Sequence, residues 1–252
     1  LIRESVPFTA EADSLNCAIL APDVTPDDEE FDLFVKEVAR EMTGKAGQKC
    51  TAIRRVIVPE AHVDAVGERL RERLRKITVG NPKMEGVRMG ALASMDQHRD
   101  VSERVELLAR GNEVLFSARD GFSPVGDGCA NGAFFSPTLL LCRNALANDA
   151  VHDIEAFGPV STLMTYRDID EALALAARGK GSLVTTFATR DPAIAAHAVP
   201  IVAASHGRVL ILDREAAVDS TGHGSPLPQL KHGRPGRAGG GEELGGIRAV
   251  KH

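Results

Sequence analysis

The sequence predicts an α/β fold, a mostly parallel, helix-covered sheet followed by a glycine-rich C-terminal tail. Three observations predict it. Short apolar, β-branched runs alternate with longer stretches of helical period, the pattern of strands joined by crossover helices. A chain of 252 residues with 43% apolar and 26% charged residues has globular balance, and can bury about 70–75% of its unfolded surface. From Ser220 onward glycine is too frequent for a helix or a long strand.

The first helix is expected after Thr25-Pro26-Asp27-Asp28, with a hydroxyl cap and proline in the first turn. Phe31, Phe34, Val35, Val38 and Met42 then recur with helical period and lead to Gly44 and Gly47. Arg55-Val56-Ile57-Val58 reads as a strand closed by Pro59. Val63, Val66, Leu70, Leu74 and Ile77 form one stripe of a charged helix that stops before Gly80-Asn81-Pro82. Further strands are expected at 137–141, 160–166, 182–188 and 208–212, and helices at 96–109, 169–178 and 192–205. Pro200 should kink or end the last of these. The tail reads either as a disordered extension or as an ordered loop at an active-site mouth that pairs with a neighbour; the second is favoured.

Composition narrows the partners. The formal charge is -5, there is no tryptophan and one tyrosine, and no basic stripe carries interleaved aromatics, so no nucleic-acid partner is expected. The run Asp27-Asp28-Glu29-Glu30 suits a helix start or a solvated face. No apolar stretch approaches the roughly 20 residues of a membrane span, and the N-terminus lacks a basic-then-apolar signal pattern. No membrane partner is expected. Cys17, Cys50, Cys129 and Cys142 lack C-x-x-C spacing and read as reduced thiols of a cytoplasmic protein. Cys17 and Cys142 lie in apolar runs that suit packing, and Cys129 in a glycine-rich loop. His206, His223, His232 and His252 lack metal-ligand spacing, so no metal is expected.

The chemistry concentrates at Gly47-Gln48-Lys49-Cys50, a turn after the first helix, and at Glu11 upstream. A cysteine alone is often a small buried hydrophobe, and a glutamate among Asp and Ser is often a solvated turn residue. A thiol nucleophile does need a close-approach backbone, and hydrolysis of its thioester needs a carboxylate to activate water. With Phe135-Ser136-Pro137-Thr138-Leu139 and Glu155-Ala156-Phe157-Gly158-Pro159-Val160 following in order, the chain resembles the aldehyde dehydrogenase superfamily. Residues 11–16, 42–55 and 236–246 are most similar to its CoA-linked semialdehyde dehydrogenases of phenylacetate and benzoate ring-opening catabolism.

The resemblance implies the catalytic domain of an aldehyde dehydrogenase-like fold. Residues 1–30 would end the cofactor-binding half and carry the general base, 31–219 would form the catalytic domain, and 220–252 would lie near the active-site mouth or an oligomer contact. It implies Cys50 as nucleophile, Glu11 as deacylating base, Glu155 on the nicotinamide ribose with Phe157 shaping the same face, and Gly47 and Gln48 shaping the nucleophile loop. Lys49, Arg54 and Arg55 remain charged neighbours able to lower the Cys50 pKa. The implied cofactor is NADP or NAD, with NADP favoured; the implied partners are an aldehyde, possibly CoA-linked, and further copies of the chain. Glu11 favours hydrolysis over transfer to a thiol. The resemblance places a dinucleotide-binding half and an oxyanion-hole asparagine upstream of this chain, which would leave the isolated portion inactive. Two other readings stay open: a Cys–His hydrolase using Cys50 with His223 or His232, and a non-catalytic assembly module.

Overall fold

A computed structural model describes residues 2–5, 10–117, 122–225, 227, 230, 232–234 and 236–241. Seven strands form one sheet: β1 (Cys17–Leu20), β2 (Arg55–Pro59), β3 (Glu113–Ser117), β4 (Thr138–Cys142), β5 (Val160–Tyr166), β6 (Ser182–Ala188) and β7 (His206–Leu212). Their order is β3-β4-β5-β2-β1-β6-β7. Every neighbouring pair is parallel except β3 with β4. A separate antiparallel hairpin joins β8 (His232–Arg234) to β9 (Gly239–Gly241).

Helices cover both faces because the central strands are apolar on both sides, as parallel strands must be. Ala18, Leu20, Val56 and Val58 pack with α1 (Glu29–Thr43) through Phe31, Phe34 and Val38, and with α2 (Val63–Arg75) through Val66 and Leu70. Cys17, Ile19, Ile57 and Met164 point the other way, towards α3 (Met95–Ala109) through Val101 and Val105. The same core takes Ala176 of α5, Ile169–Ala177, and Ala198 of α6, Pro192–Val202; two further short helices are α4 (Ala150–Asp153) and α7 (Ala216–Asp219).

Four local readings differ from expectation. The first helix begins at Glu29 with Asp28 at its N-cap position, and Thr25 does not cap it. Instead the Thr25 backbone N–H and hydroxyl both donate to Asp28 Oδ2, at 2.7 and 2.8 Å, closing a turn before the helix. Pro200 does not end α6 at its own position; the helix continues to Val202 with Pro200 in its last turn, and the Ala203 N–H still reaches the Val199 carbonyl at 2.9 Å. Strands β1 and β3 are additional, the first because four buried residues carry no alternation to read, the second because its edge position leaves it half exposed. Finally, residue 30 is no break in the fold, since β1 lies before it and occupies the sheet between β2 and β6.

Candidate active site

The turn that leads to Cys50 is built by left-handed backbone. Lys45, Ala46 and Gly47 have φ of 52°, 53° and 68°, which brings the chain from α1 sharply round to Cys50 before β2 begins. Only glycine fits the third position. A Cβ on Gly47 would stand 2.0 Å from the Gly158 carbonyl oxygen, so the two motif loops meet backbone to backbone. Gln48 braces the turn from outside, with its Oε1 accepting from the Ala93 N–H at 2.8 Å and its Nε2 donating to the Lys45 carbonyl at 3.1 Å.

Arg54 fastens this junction. Its guanidinium donates to the Gly158 carbonyl at 2.6 Å and to the Gly47 carbonyl at 2.7 Å, while Nε lies 3.5 Å from Glu155 Oε1. The same cation sits 5.3 Å from the centre of the Phe157 ring. Sequence reasoning left Arg54 as a charged neighbour. The available signal was an arginine directly before a buried strand, where an unpaired charge is untenable. Arg55 donates to the Leu15, Leu175 and Ala176 carbonyls, and Lys49 pairs with Glu41. None of these three cations is turned onto the Cys50 sulfur, and the expectation of a lowered thiol is corrected: burial first, then the nearby Glu11 charge, push Cys50 above the ordinary thiol value.

Asn16 holds the other side of the turn. Its Nδ2 donates to the Cys50 carbonyl at 2.8 Å and to the Ala52 carbonyl at 3.0 Å, and its Oδ1 accepts from the Val184 N–H at 3.1 Å. Its Oδ1 also accepts from the Ser14 hydroxyl at 2.7 Å, so this buried amide, with every polar capacity used, ties the Cys50 backbone to β6 and to the segment before β1. The backbone N–H groups of Cys50 and Thr51 both favour the ionised sulfur.

Cys50, Glu11, Glu155 and Phe157 line one cleft of about 490 Å³, with Asp13 and Ala238 also on its wall. Burial raises the Glu155 carboxyl, Arg54 partly offsets this, and Asp13 adds to it. A carboxylate beside an aromatic edge on such a wall suits vicinal hydroxyl donors, so the residues present fit the ribose of a nicotinamide cofactor. The segment carrying Glu11 is tied down by the tail: the Ala12 and Asp13 N–H groups both donate to the Arg237 carbonyl at 3.3 Å. The Arg237 guanidinium grips both Asp13 carboxylate oxygens and donates to the His152 and Asp153 carbonyls at 2.9 Å. Sequence reasoning missed Arg237 because its partner stands at the other end of the chain. Residues 236–241 therefore touch the site, whereas 242–252, including His252 and the end of the glycine-rich motif, lie outside the described residues.

Of the two candidate histidines, the structure brings one to the thiol. His232 Nε2 is 3.5 Å from Cys50 Sγ, and its Nδ1 is 3.3 Å from Arg208 Nη1. His223 is fully buried, 2.8 Å from the Thr186 hydroxyl, and burial lowers it to about 3. Among the described residues no cluster of His, Cys, Asp and Glu could hold a metal ion, and no helix is long and apolar enough to cross a membrane.

Residues 5–222 match the aldehyde dehydrogenase family. The chain is 45% identical over 235 residues to a 3,4-dehydroadipyl-CoA semialdehyde dehydrogenase of Aromatoleum evansii, covering 93% of this chain and 46% of the relative. It is 53% identical over 165 residues to protein MaoC of Klebsiella aerogenes, covering 65% of this chain and 48% of that protein. Betaine aldehyde dehydrogenase from Staphylococcus aureus in complex with NAD+ shares the fold, with a TM-score of 0.81 at 24% identity over 99% of this chain and 46% of that one. A glyceraldehyde-3-phosphate dehydrogenase from Methanocaldococcus jannaschii complexed with NADP superposes with a TM-score of 0.73 at 20% identity, over 94% and 46% of the two chains. The chain spans about half the length of the curated relatives it matches.

Proposed function

Because the chain belongs to the aldehyde dehydrogenase family, we propose that it is the catalytic portion of a nicotinamide-dependent enzyme oxidising an aldehyde to its carboxylic acid through a Cys50 thioester. The observation that carries this is the convergence of Cys50, Glu11, Glu155 and Phe157 on one cleft.

Cys50 attacks as thiolate: a bond forms from sulfur to the aldehyde carbon and the carbonyl pair moves to oxygen. The Cys50 and Thr51 N–H groups lie beside the sulfur and serve the developing oxyanion. A nicotinamide cofactor would supply the hydride acceptor, the oxyanion pair re-forming the carbonyl of the Cys50 thioester as hydride leaves carbon. Glu155 would hold its ribose hydroxyls, and Phe157 would shape the same wall. Glu11 then takes a proton from the water that attacks the thioester carbon, and the thiolate leaves.

The substrate proposed is a CoA-linked semialdehyde, supported by the name of the Aromatoleum relative. NADP is proposed ahead of NAD on the likeness to that aromatic-degradation branch, and parallel steady-state assays with the two decide it. Homo-oligomerisation is supported by strand β7, which ends the sheet with five half-buried residues along its edge. A Cys–His hydrolase is the second reading, favoured by the contact of His232 with Cys50. It would survive loss of Glu11.

Exchange of Glu11 for Gln in the longer enzyme is expected to preserve a burst of reduced cofactor while slowing turnover by about 10²- to 10⁴-fold. Cys50→Ala is expected to abolish both. Stopped-flow absorbance at the reduced-nicotinamide band reads this; an absent burst in Glu11→Gln removes Glu11 as deacylating base, and unchanged turnover favours the hydrolase.

A further inference from the structure

We propose that His232 is a neutral hydrogen-bond donor to the Cys50 thiolate, locked into that role by Arg208, so that the glycine-rich tail supplies part of the nucleophile's activation. This rests on the reading of Cys50 as the nucleophile.

The assignment follows from donor counting. A guanidinium has only donors and keeps its charge. With Arg208 Nη1 3.3 Å from Nδ1, that ring nitrogen must accept, and the ring's single proton sits on Nε2, the atom 3.5 Å from Cys50 Sγ. A second ring proton would set an imidazolium against the guanidinium, an arrangement of like charges that opposes protonation. His232 therefore presents an N–H to the sulfur and has no lone pair there with which to take the thiol proton. In this tautomer His232 is a donor to the sulfur and not the base that the Cys–His hydrolase reading would need.

The backbone shows why glycine surrounds this histidine. A Cβ on Gly207 of β7 would lie 2.6 Å from the Gly233 carbonyl oxygen, and one on Gly233 would lie 2.5 Å from the Gly239 carbonyl oxygen. The β8–β9 hairpin thus packs against the first residues of β6 and β7, at a separation side chains would forbid, with His232 buried and its Nε2 facing the Cys50 sulfur.

The charged groups acting on Cys50 are Glu11, which opposes ionisation, and Arg208 and Arg54 on the favourable side. Against burial and Glu11, which hold the thiol above its ordinary value, His232 contributes a donor that strengthens as the sulfur becomes anionic. In the step itself the S–H bond breaks, its proton passes to water in the open cleft, the electron pair stays on sulfur, and the His232 N–H remains intact.

The test is iodoacetamide alkylation of Cys50 in the full-length protein, followed by peptide mass spectrometry from about pH 6 to pH 10 in wild type, His232→Gln, His232→Phe and Arg208→Met. Glutamine can donate but does not titrate. The phenylalanine variant is expected to move the midpoint up by about one pH unit, about tenfold slower labelling at pH 7, while the glutamine variant stays near wild type. Arg208→Met frees Nδ1 to take a proton and is expected to add an inflection in the histidine range. Labelling in His232→Gln as slow as in His232→Phe overturns the donor role in favour of a base; unchanged rates in both overturn it altogether. Failure of the nucleophile reading looks different: another cysteine is alkylated first and Cys50→Ala keeps turnover.

Discussion

Two histidines in this chain are each met at Nδ1 by an arginine, and they end on different atoms. His152 has Arg55 Nη1 at 3.3 Å and its Nε2 2.9 Å from the Ala145 carbonyl; His232 has Arg208 at 3.3 Å and its Nε2 3.5 Å from the Cys50 sulfur. The arginine fixes the same tautomer in both. What the ring N–H meets then separates structure from chemistry. At His152 it is spent on a carbonyl, and Arg55 goes on to donate to the Leu15, Leu175 and Ala176 carbonyls at 2.8, 2.8 and 3.0 Å, knitting β2 to α5. At His232 it faces the Cys50 thiol on the wall of a cleft.

The largest expected separation of the two pairs is in stability. Arg55 is 0% exposed, so Arg55→Met strands its carbonyl acceptors and should destabilise the fold by about 3–5 kcal/mol. Arg208→Met, at a half-buried edge position, should cost about 1 kcal/mol or less. Urea unfolding of both variants measures this, and equal losses would erase the distinction.

The next effect is on pH. Burial first, then Arg55, lowers His152 to about 4 from 6.5. The folded state therefore refuses a proton that the unfolded chain accepts, so stability is fully present above about pH 6.5 and is lost as pH falls towards 4. At pH 5 the loss from this one group is about 2 kcal/mol, and His223 acts in the same direction. Urea midpoints at pH 7 and pH 5 should show it, with a shallower fall in His152→Gln; a flat profile in wild type would mean His152 is not held neutral.

The smallest effect is one of order. Cys17 also faces a histidine, with Sγ 3.4 Å from His206 Nε2; burial raises its thiol, but His206 and Arg55 outweigh this and leave it lowered to about 7. Cys50 is raised, yet Cys50 is exposed and Cys17 is not. Access should decide, with iodoacetamide taking Cys50 before Cys17 in the native protein. Reversal of that order would show that ionisation outruns burial here.

Much of this was legible locally. Strands β5 and β6 and helix α2 follow from patterns that neighbouring residues carry among themselves, such as the stripe of Val63, Val66, Leu70 and Leu74. Cys50 and Glu11 stood out because their residue types suit a thioester chemistry. Strand β1 did not, since a strand buried on both faces shows no alternation, and the Thr25 cap misled because its hydroxyl found Asp28 before any helix N–H.

By itself the sequence determined the α/β alternation, the glycine at 47 and the presence of Cys50 and Glu11, residue types that suit thioester chemistry. The tertiary structure decided which charges act on them. Arg54 turned from the thiol to the Gly47 and Gly158 carbonyls, Asn16 closed on the Cys50 backbone, Arg237 crossed the chain to Asp13, and His232 came over the sulfur with Arg208 behind it. Local periodicity records only which face of an element is apolar. A buried polar group must be satisfied by whichever donor or acceptor the packed sheet delivers, and that partner can stand anywhere in the chain.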